Sequence, residues 1–110
     1  METAGRKPGE AAIFVYRKGN GGAFVSESPA VVAQGGTIWV VNLTECPAEV
    51  EFPDRSFDPA EASLAPRGGA QQFTAVGAQG YHEYDVELDC GKGVRQEVEG
   101  NSRPGAIIDP

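Results

Sequence analysis

The hydrophobic positions fall in short runs with a period of two, punctuated by glycine and proline, and no stretch sustains the 3.6-residue period of a helix. Ala12-Ile13-Phe14-Val15-Tyr16 reads as a first strand, and Arg17 to Gly22 as a turn, because Asn20-Gly21 tolerates positive φ. Ala23 to Ser26 returns from that turn. Pro29 to Ala33 is short and β-rich, and Gln34-Gly35-Gly36 turns the chain into Thr37 to Leu43. That strand is apolar on both faces, which predicts a central position or a covered outer face. Glu49-Val50-Glu51-Phe52 alternates, with Val50 and Phe52 inward. Pro53 to Arg67 reads as a long connection with at most one helical turn, around Pro59 to Ser63, and Gln71 to Val76 as a further strand. Tyr81 to Cys90 is the longest regular run: His82, Tyr84, Val86, Leu88 and Cys90 share a core face, while Glu83, Asp85, Glu87 and Asp89 share a wet one. Gly91 to Arg103 is polar, and Pro104 to Asp109 closes the sheet. The pattern predicts an all-β chain, one β-sandwich of seven or eight strands over residues 11–110 behind a loose polar arm at 1–10.

A chain of 110 residues supports one core, and its 40% apolar and 23% charged content is that of an ordinary globular domain. Sixteen acidic residues against nine basic ones leave a formal charge of -7, which repels phosphate backbones and argues against nucleic acid as a partner. No apolar run reaches the length of a membrane span, and Met1 to Ala12 lacks the apolar core of a signal peptide. The sequence reads as soluble.

Several segments taken in order carry a family likeness. Pro29-Ala30-Val31-Val32 leads to Gly35-Gly36-Thr37-Ile38, a strand ends in Asn42, and Pro47-Ala48-Glu49-Val50 follows. Leu64-Ala65-Pro66-Arg67-Gly68 then precedes a strand, and Gly80-Tyr81-His82-Glu83-Tyr84-Asp85-Val86 closes the series. From Pro29 to Tyr84 the chain resembles the cupredoxin family, which implies a single cupredoxin-like Greek-key β-sandwich. The departures bear on function. A blue-copper site takes two imidazoles, a thiolate and a weak axial ligand. Here the first histidine position holds Ala48 and the thiolate position holds Val86, the chain has one histidine, and its one methionine is Met1. One copy of the chain therefore cannot assemble that site, and no cofactor is expected. The resemblance also places Ala48 and Val86 at one end of the sandwich with Cys46 and Cys90 just outside them. A Cys46–Cys90 disulfide is one implied outcome and two free thiols the other. The bridge would favour a periplasmic or secreted location, and free thiols the cytoplasm.

Other chemistry is thinly represented. His82 and Cys90 on one extended strand lie roughly 27 Å apart, too far to share a metal. Carboxylates at every second position of a strand stand about 7 Å apart, which makes the 83–89 stripe a solvated face rather than a calcium site. No nucleophile and base pair stands out, so no enzyme activity is expected. Asn42-Leu43-Thr44 matches a glycosylation sequon, but its place at the end of an apolar strand points to a hydrogen-bonding role for Asn42. If Ile38 and Val40 face the core, as the cupredoxin resemblance implies, Trp39, Val41 and Leu43 face outward as an apolar patch; a hairpin carrying Phe14 and Phe24 is the expected cover, and another subunit the alternative.

The expected function is a non-catalytic binding or structural module, with an unidentified protein or small ligand as partner, as a monomer or weak homodimer. The alternatives are a thiol/disulfide protein using Cys46 and Cys90, or metal handling at a site shared between chains.

Overall fold

The computed structural model describes residues 10–17, 23–90, 95–97 and 104–109. Every regular element among them is a strand: β1 Glu10–Arg17, β2 Ala23–Val25, β3 Ala30–Ala33, β4 Thr37–Asn42, β5 Ala48–Glu51, β6 Phe57–Asp58, β7 Glu61–Leu64, β8 Gly69–Ala75, β9 Gly80–Glu83, β10 Asp85–Asp89, β11 Arg95–Glu97 and β12 Gly105–Asp109. They pair into three sheets, ordered β2-β1-β4-β8-β6, β11-β10-β5-β7 and β3-β12-β9. The pairing is mixed: β1 runs parallel to β4 and β3 to β12, and the other neighbours are antiparallel. No helix among the described residues is long and apolar enough to cross a membrane.

The chain is all-β, as its periodicity predicts, with more strands than the seven or eight expected. Three corrections account for the difference, one of them β11, Arg95–Glu97, which falls in the expected 91–103 connection and pairs with β10. Pro53 to Arg67 contains no helical turn; it forms β6 and β7, and β7 pairs with β5 from Ala48↔Leu64 to Glu51↔Glu61. Tyr81 to Cys90 is not one regular strand. It changes sheet at Tyr84: β9 pairs with β12, β10 pairs with β5, and Tyr84 lies between them. The break lets one extended segment serve two sheets. Cys90, one residue past the end of β10, is exposed rather than on the core face. Glu10, assigned to the N-terminal arm, opens β1; residues 1–9 lie outside the described residues, as do Lys18 to Gly22 of the expected turn and most of the expected 91–103 connection.

Alternation builds the core. Ala11, Ile13 and Val15 of β1, Ile38 and Val40 of β4, Val50 of β5, Phe73 and Ala75 of β8, Val86 and Leu88 of β10, and Ala106 and Ile108 of β12 are all buried. Their neighbours in sequence face the other way. At the centre the Phe52 ring lies 4.6 Å from Phe57, 5.0 Å from Tyr84 and 5.2 Å from Phe73, centroid to centroid. Such tilted contacts add to the burial of four large rings. The turn into β4 needs the φ of +82° at Gly35, and Gly36 N donates to Ala33 O at 2.8 Å to close it. Gly105 has a steric reason instead, because a Cβ there would run into the Tyr81 ring.

Candidate functional site

The loops ahead of β5 and beyond β10 meet at one end of the molecule. Asp89 N donates to Pro47 O at 2.9 Å, and this brings Cys46 and Cys90 together as a disulfide with a Cα separation of 4.9 Å. The bridge is asymmetric. Cys46 is buried and Cys90 exposed. The Arg17 guanidinium lies over it, pairing with Glu45 at 3.0 Å and reaching to 3.9 Å from Cys90 Sγ. Ala48 and Val86 are fully buried just inside the bridge, on adjacent strands, with Ala48 opposite Leu88 and Val86 opposite Val50. Neither can ligate a metal.

Asn42 organises this end from beneath. It is fully buried, so it is no glycan acceptor. Its Nδ2 donates to Cys46 O at 2.8 Å and Ala65 O at 3.1 Å, and its Oδ1 accepts from Thr44 N at 3.0 Å and Thr44 Oγ1 at 2.8 Å. Thr44 Oγ1 in turn accepts from Cys46 N at 3.2 Å. The Asn42 backbone carbonyl takes Gly68 N at 2.7 Å, and Thr44 O takes Arg67 N at 2.8 Å. One side chain thus ties the end of β4, the Cys46 loop and the 65–68 turn together. The end of an apolar strand correctly points to a hydrogen-bonding role for Asn42, but its partners lie up to 23 positions away and leave no local signal.

The outward face of the five-stranded sheet differs from the expectation. The hairpin of β1 and β2 does not lie over Trp39, Val41 and Leu43; it extends the same sheet, with Ala12 beside Trp39 and Phe14 beside Val41. The reason is in β1 itself. Ile13 and Val15 belong in the core, and only edge-on pairing with β4 buries them while satisfying the β1 backbone. Phe14 therefore enlarges the patch it was expected to cover. Trp39 is 41% exposed, Phe14 40% and Leu43 53%, and no described residue covers them. Tyr16 and Phe24 stack at 5.9 Å beside them, and Ala70, Gln72 and Thr74 continue the face on β8. Among the described residues the charges of this face lie at its margins, Glu10 beside Thr37 and Asp58 beside Thr74.

The outward face of the β10-β5-β7 sheet is its electrostatic opposite. Register sets Glu49 against Glu87, and Glu51 against both Asp85 and Glu61, so these five carboxylates line one shallow depression with Ser63. Two of them belong to the stripe legible in the sequence; Glu49, Glu51 and Glu61 join only through pairing. Among the described residues no three His, Cys, Asp or Glu side chains are grouped to hold a metal ion.

His82 lies on the rim rather than in the core, bonded to Asp54 and to the carbonyl of Ala78. Burial opposes charge on the ring, but these bonds outweigh it and raise its pKa above the ordinary 6.5. Burial likewise opposes charge on Asp54, and hydrogen bonds from His82 and Ser56 more than offset it, so its pKa is lowered. The Tyr84 phenol is pushed upward by burial, then by the charge of Glu27. Nothing in the spacing of Asp54 and His82, 28 positions apart, announces their contact.

No family model matches this chain, and no curated protein matches it closely enough to count as a relative.

Proposed function

We propose that the chain is a copper-free, cupredoxin-like Greek-key β-sandwich that serves as a non-catalytic binding module. Parallel pairing of β1 with β4 and of β3 with β12, beside the antiparallel β5–β10 pair, supports a two-layer reading. Ala48 and Val86 at the ligand positions support the absence of a blue-copper role. The observation that carries the binding role is the uncharged aromatic face around Phe14, Trp39 and Leu43, exposed on a chain of net charge -7. A partner with an apolar surface of its own docks there without stripping water from charges. The Cys46–Cys90 bridge supports residence in an oxidising compartment.

Photo-cross-linking in the native cell tests this. A photoreactive residue at position 39 should give a discrete adduct that one at position 87, on the acidic face, does not. Leu43→Ser, which costs no more than about 1 kcal/mol at a half-exposed site, should weaken that adduct several-fold without unfolding the protein. Equal labelling from both faces, or none from position 39, sinks the proposal.

A second reading, reversible thiol/disulfide chemistry, is favoured by the exposure of Cys90 and the guanidinium beside its sulfur. An external thiolate would attack Cys90 Sγ, form a mixed disulfide and release Cys46 as the leaving thiolate; a second thiol would complete the two-electron reduction. A measured reduction potential above about -250 mV supports this reading, and one below about -300 mV makes the bridge structural.

A further inference from the structure

The single histidine has a hydrogen-bond environment that only one of its protonation states can fill. Nδ1 lies 2.7 Å from Asp54 Oδ2 and Nε2 lies 2.8 Å from Ala78 O. Both partners are acceptors: a carboxylate has no proton to give at neutral pH, and a carbonyl never has. A neutral imidazole carries one N–H and can make one of these bonds, whereas the imidazolium makes both.

The two acceptors belong to different segments, and each is already part of a laced structure. Asp54 Oδ1 accepts from Ser56 N at 3.0 Å, and Arg55, at φ 60°, donates its N–H to Phe52 O at 2.9 Å, which shapes the turn after β5. Ser56 O receives both Val76 N and Gly77 N at 2.9 Å, so that turn is stitched to the segment after β8. His82 fastens the assembly to β9, which β12 holds from the other side through Ala106↔His82. The ring thus links β9 to the segments that follow β5 and β8, which belong to the other two sheets.

We propose that His82 is a proton-operated latch: as imidazolium it ties the 53–56 turn and the Ala78 segment to β9, and on losing a proton it lets go of one of them. Of the described segments packed against the ring, the 53–56 turn brings Asp54, with Arg55 next in the chain. The 76–79 segment brings no titratable group, β12 opposes the ring with Ala106, and on β9 Tyr81 and Glu83 alternate to the opposite side. Asp54 is therefore the charge that sets the latch. The raised folded-state pKa of His82 means that its stabilisation is fully present below 6.5 and is lost as pH rises through the folded value. The lowered Asp54 pKa closes the window on the other side, since its contribution is present above 3.8 and is lost as pH falls through the folded value. The latch is shut in mild acid and opens on the alkaline side.

One histidine gives one imidazole signal, so proton and nitrogen NMR titration of the intact chain reads it without assignment ambiguity. The expected result is a midpoint above 6.5, both ring nitrogens protonated below it, and a return toward 6.5 in Asp54→Asn. Across the same midpoint the Ser56, Val76 and Gly77 amides should exchange at least about three-fold faster after correction for intrinsic chemistry. That step should be absent in His82→Gln, whose amides read one constant protection. A midpoint at or below 6.5, or protection unchanged through it, overturns the latch. Because Asp54→Asn retains the Oδ1 acceptor for Ser56, its folded spectrum keeps the test readable even where His82→Gln fails to fold.

Discussion

The double substitution Cys46→Ala/Cys90→Ala is expected to lower the unfolding free energy by about 4 kcal/mol, the chain-entropy value for a bridge between residues 44 apart. Against a total of roughly 5–15 kcal/mol for a domain of this size, that loss is a large fraction of the stability. It corresponds to a fall in melting temperature of roughly 15–30 °C. Urea denaturation of the oxidised protein, the reduced protein and the double variant measures it, and the last two should agree within about 1 kcal/mol. A difference below about 1 kcal/mol between oxidised and reduced protein would mean that the loops holding Cys46 and Cys90 already meet without the covalent link. The register supports a substantial loss. Among the described residues, the Asp89 N to Pro47 O bond, the first β5–β10 pairs and the exposed Arg17–Glu45 pair that reaches Cys90 are non-covalent links between those two loops.

Asn42 is the second position where a large effect is expected. Asn42→Leu should cost about 3–5 kcal/mol, because the cost is set by what remains rather than by what is removed. Four hydrogen bonds are lost inside a closed end of the protein: Thr44 N is left without its acceptor, while the Thr44 hydroxyl falls back on Cys46 O at 3.0 Å and Ala65 O on Gly69 N at 3.2 Å. Each buried group left unpaired costs about 1–3 kcal/mol. Asn42→Asp separates the two halves of the role. It keeps the acceptor for Thr44 but places a carboxylate against two carbonyl oxygens, so its deficit should be larger at neutral pH than near pH 4. Chemical denaturation at both pH values reads this directly; an Asn42→Asp deficit independent of pH would contradict the donor assignment.

Disulfide and asparagine act on the same place. The chain closes an end, built from the β4–β5 loop, the 65–68 turn and the segment after β10, with one covalent link and one buried amide. At that end the proposed cupredoxin likeness would set a metal, and Ala48 and Val86 supply no ligand for one. Ala48 and Val86 fill the interior with apolar volume.

β5 and β10 were legible from their alternation and bury the residues it selects, whereas β1 and β4 were legible as apolar runs whose buried side the pattern alone leaves open. β7 was not read as a strand although Glu61-Ala62-Ser63-Leu64 alternates, because it spans only four residues within a segment broken by Pro53, Pro59 and Pro66. It becomes a strand by completing the backbone bonds of β5, a tertiary cause. The Tyr81 to Cys90 run shows the converse. Its period is unbroken in sequence, yet it crosses between sheets at Tyr84, since period two specifies which side a residue faces and not which partner the strand takes.

The amino-acid sequence by itself determined the all-β character, the inward and outward sides of β5 and β10, the acidity, and the impossibility of two imidazoles and a thiolate in one copy of the chain. These follow from local steric periodicity and from counting residues, and neither depends on how distant segments meet. The tertiary structure alone decided that Cys46 meets Cys90, that Phe14 widens the Trp39 face instead of covering it, that three further glutamates join the acidic face, and that Asp54 and Ala78 both claim the ring of His82. Each of those is a matter of strand register and sheet order, set by burying all the apolar faces at once while pairing every buried backbone group.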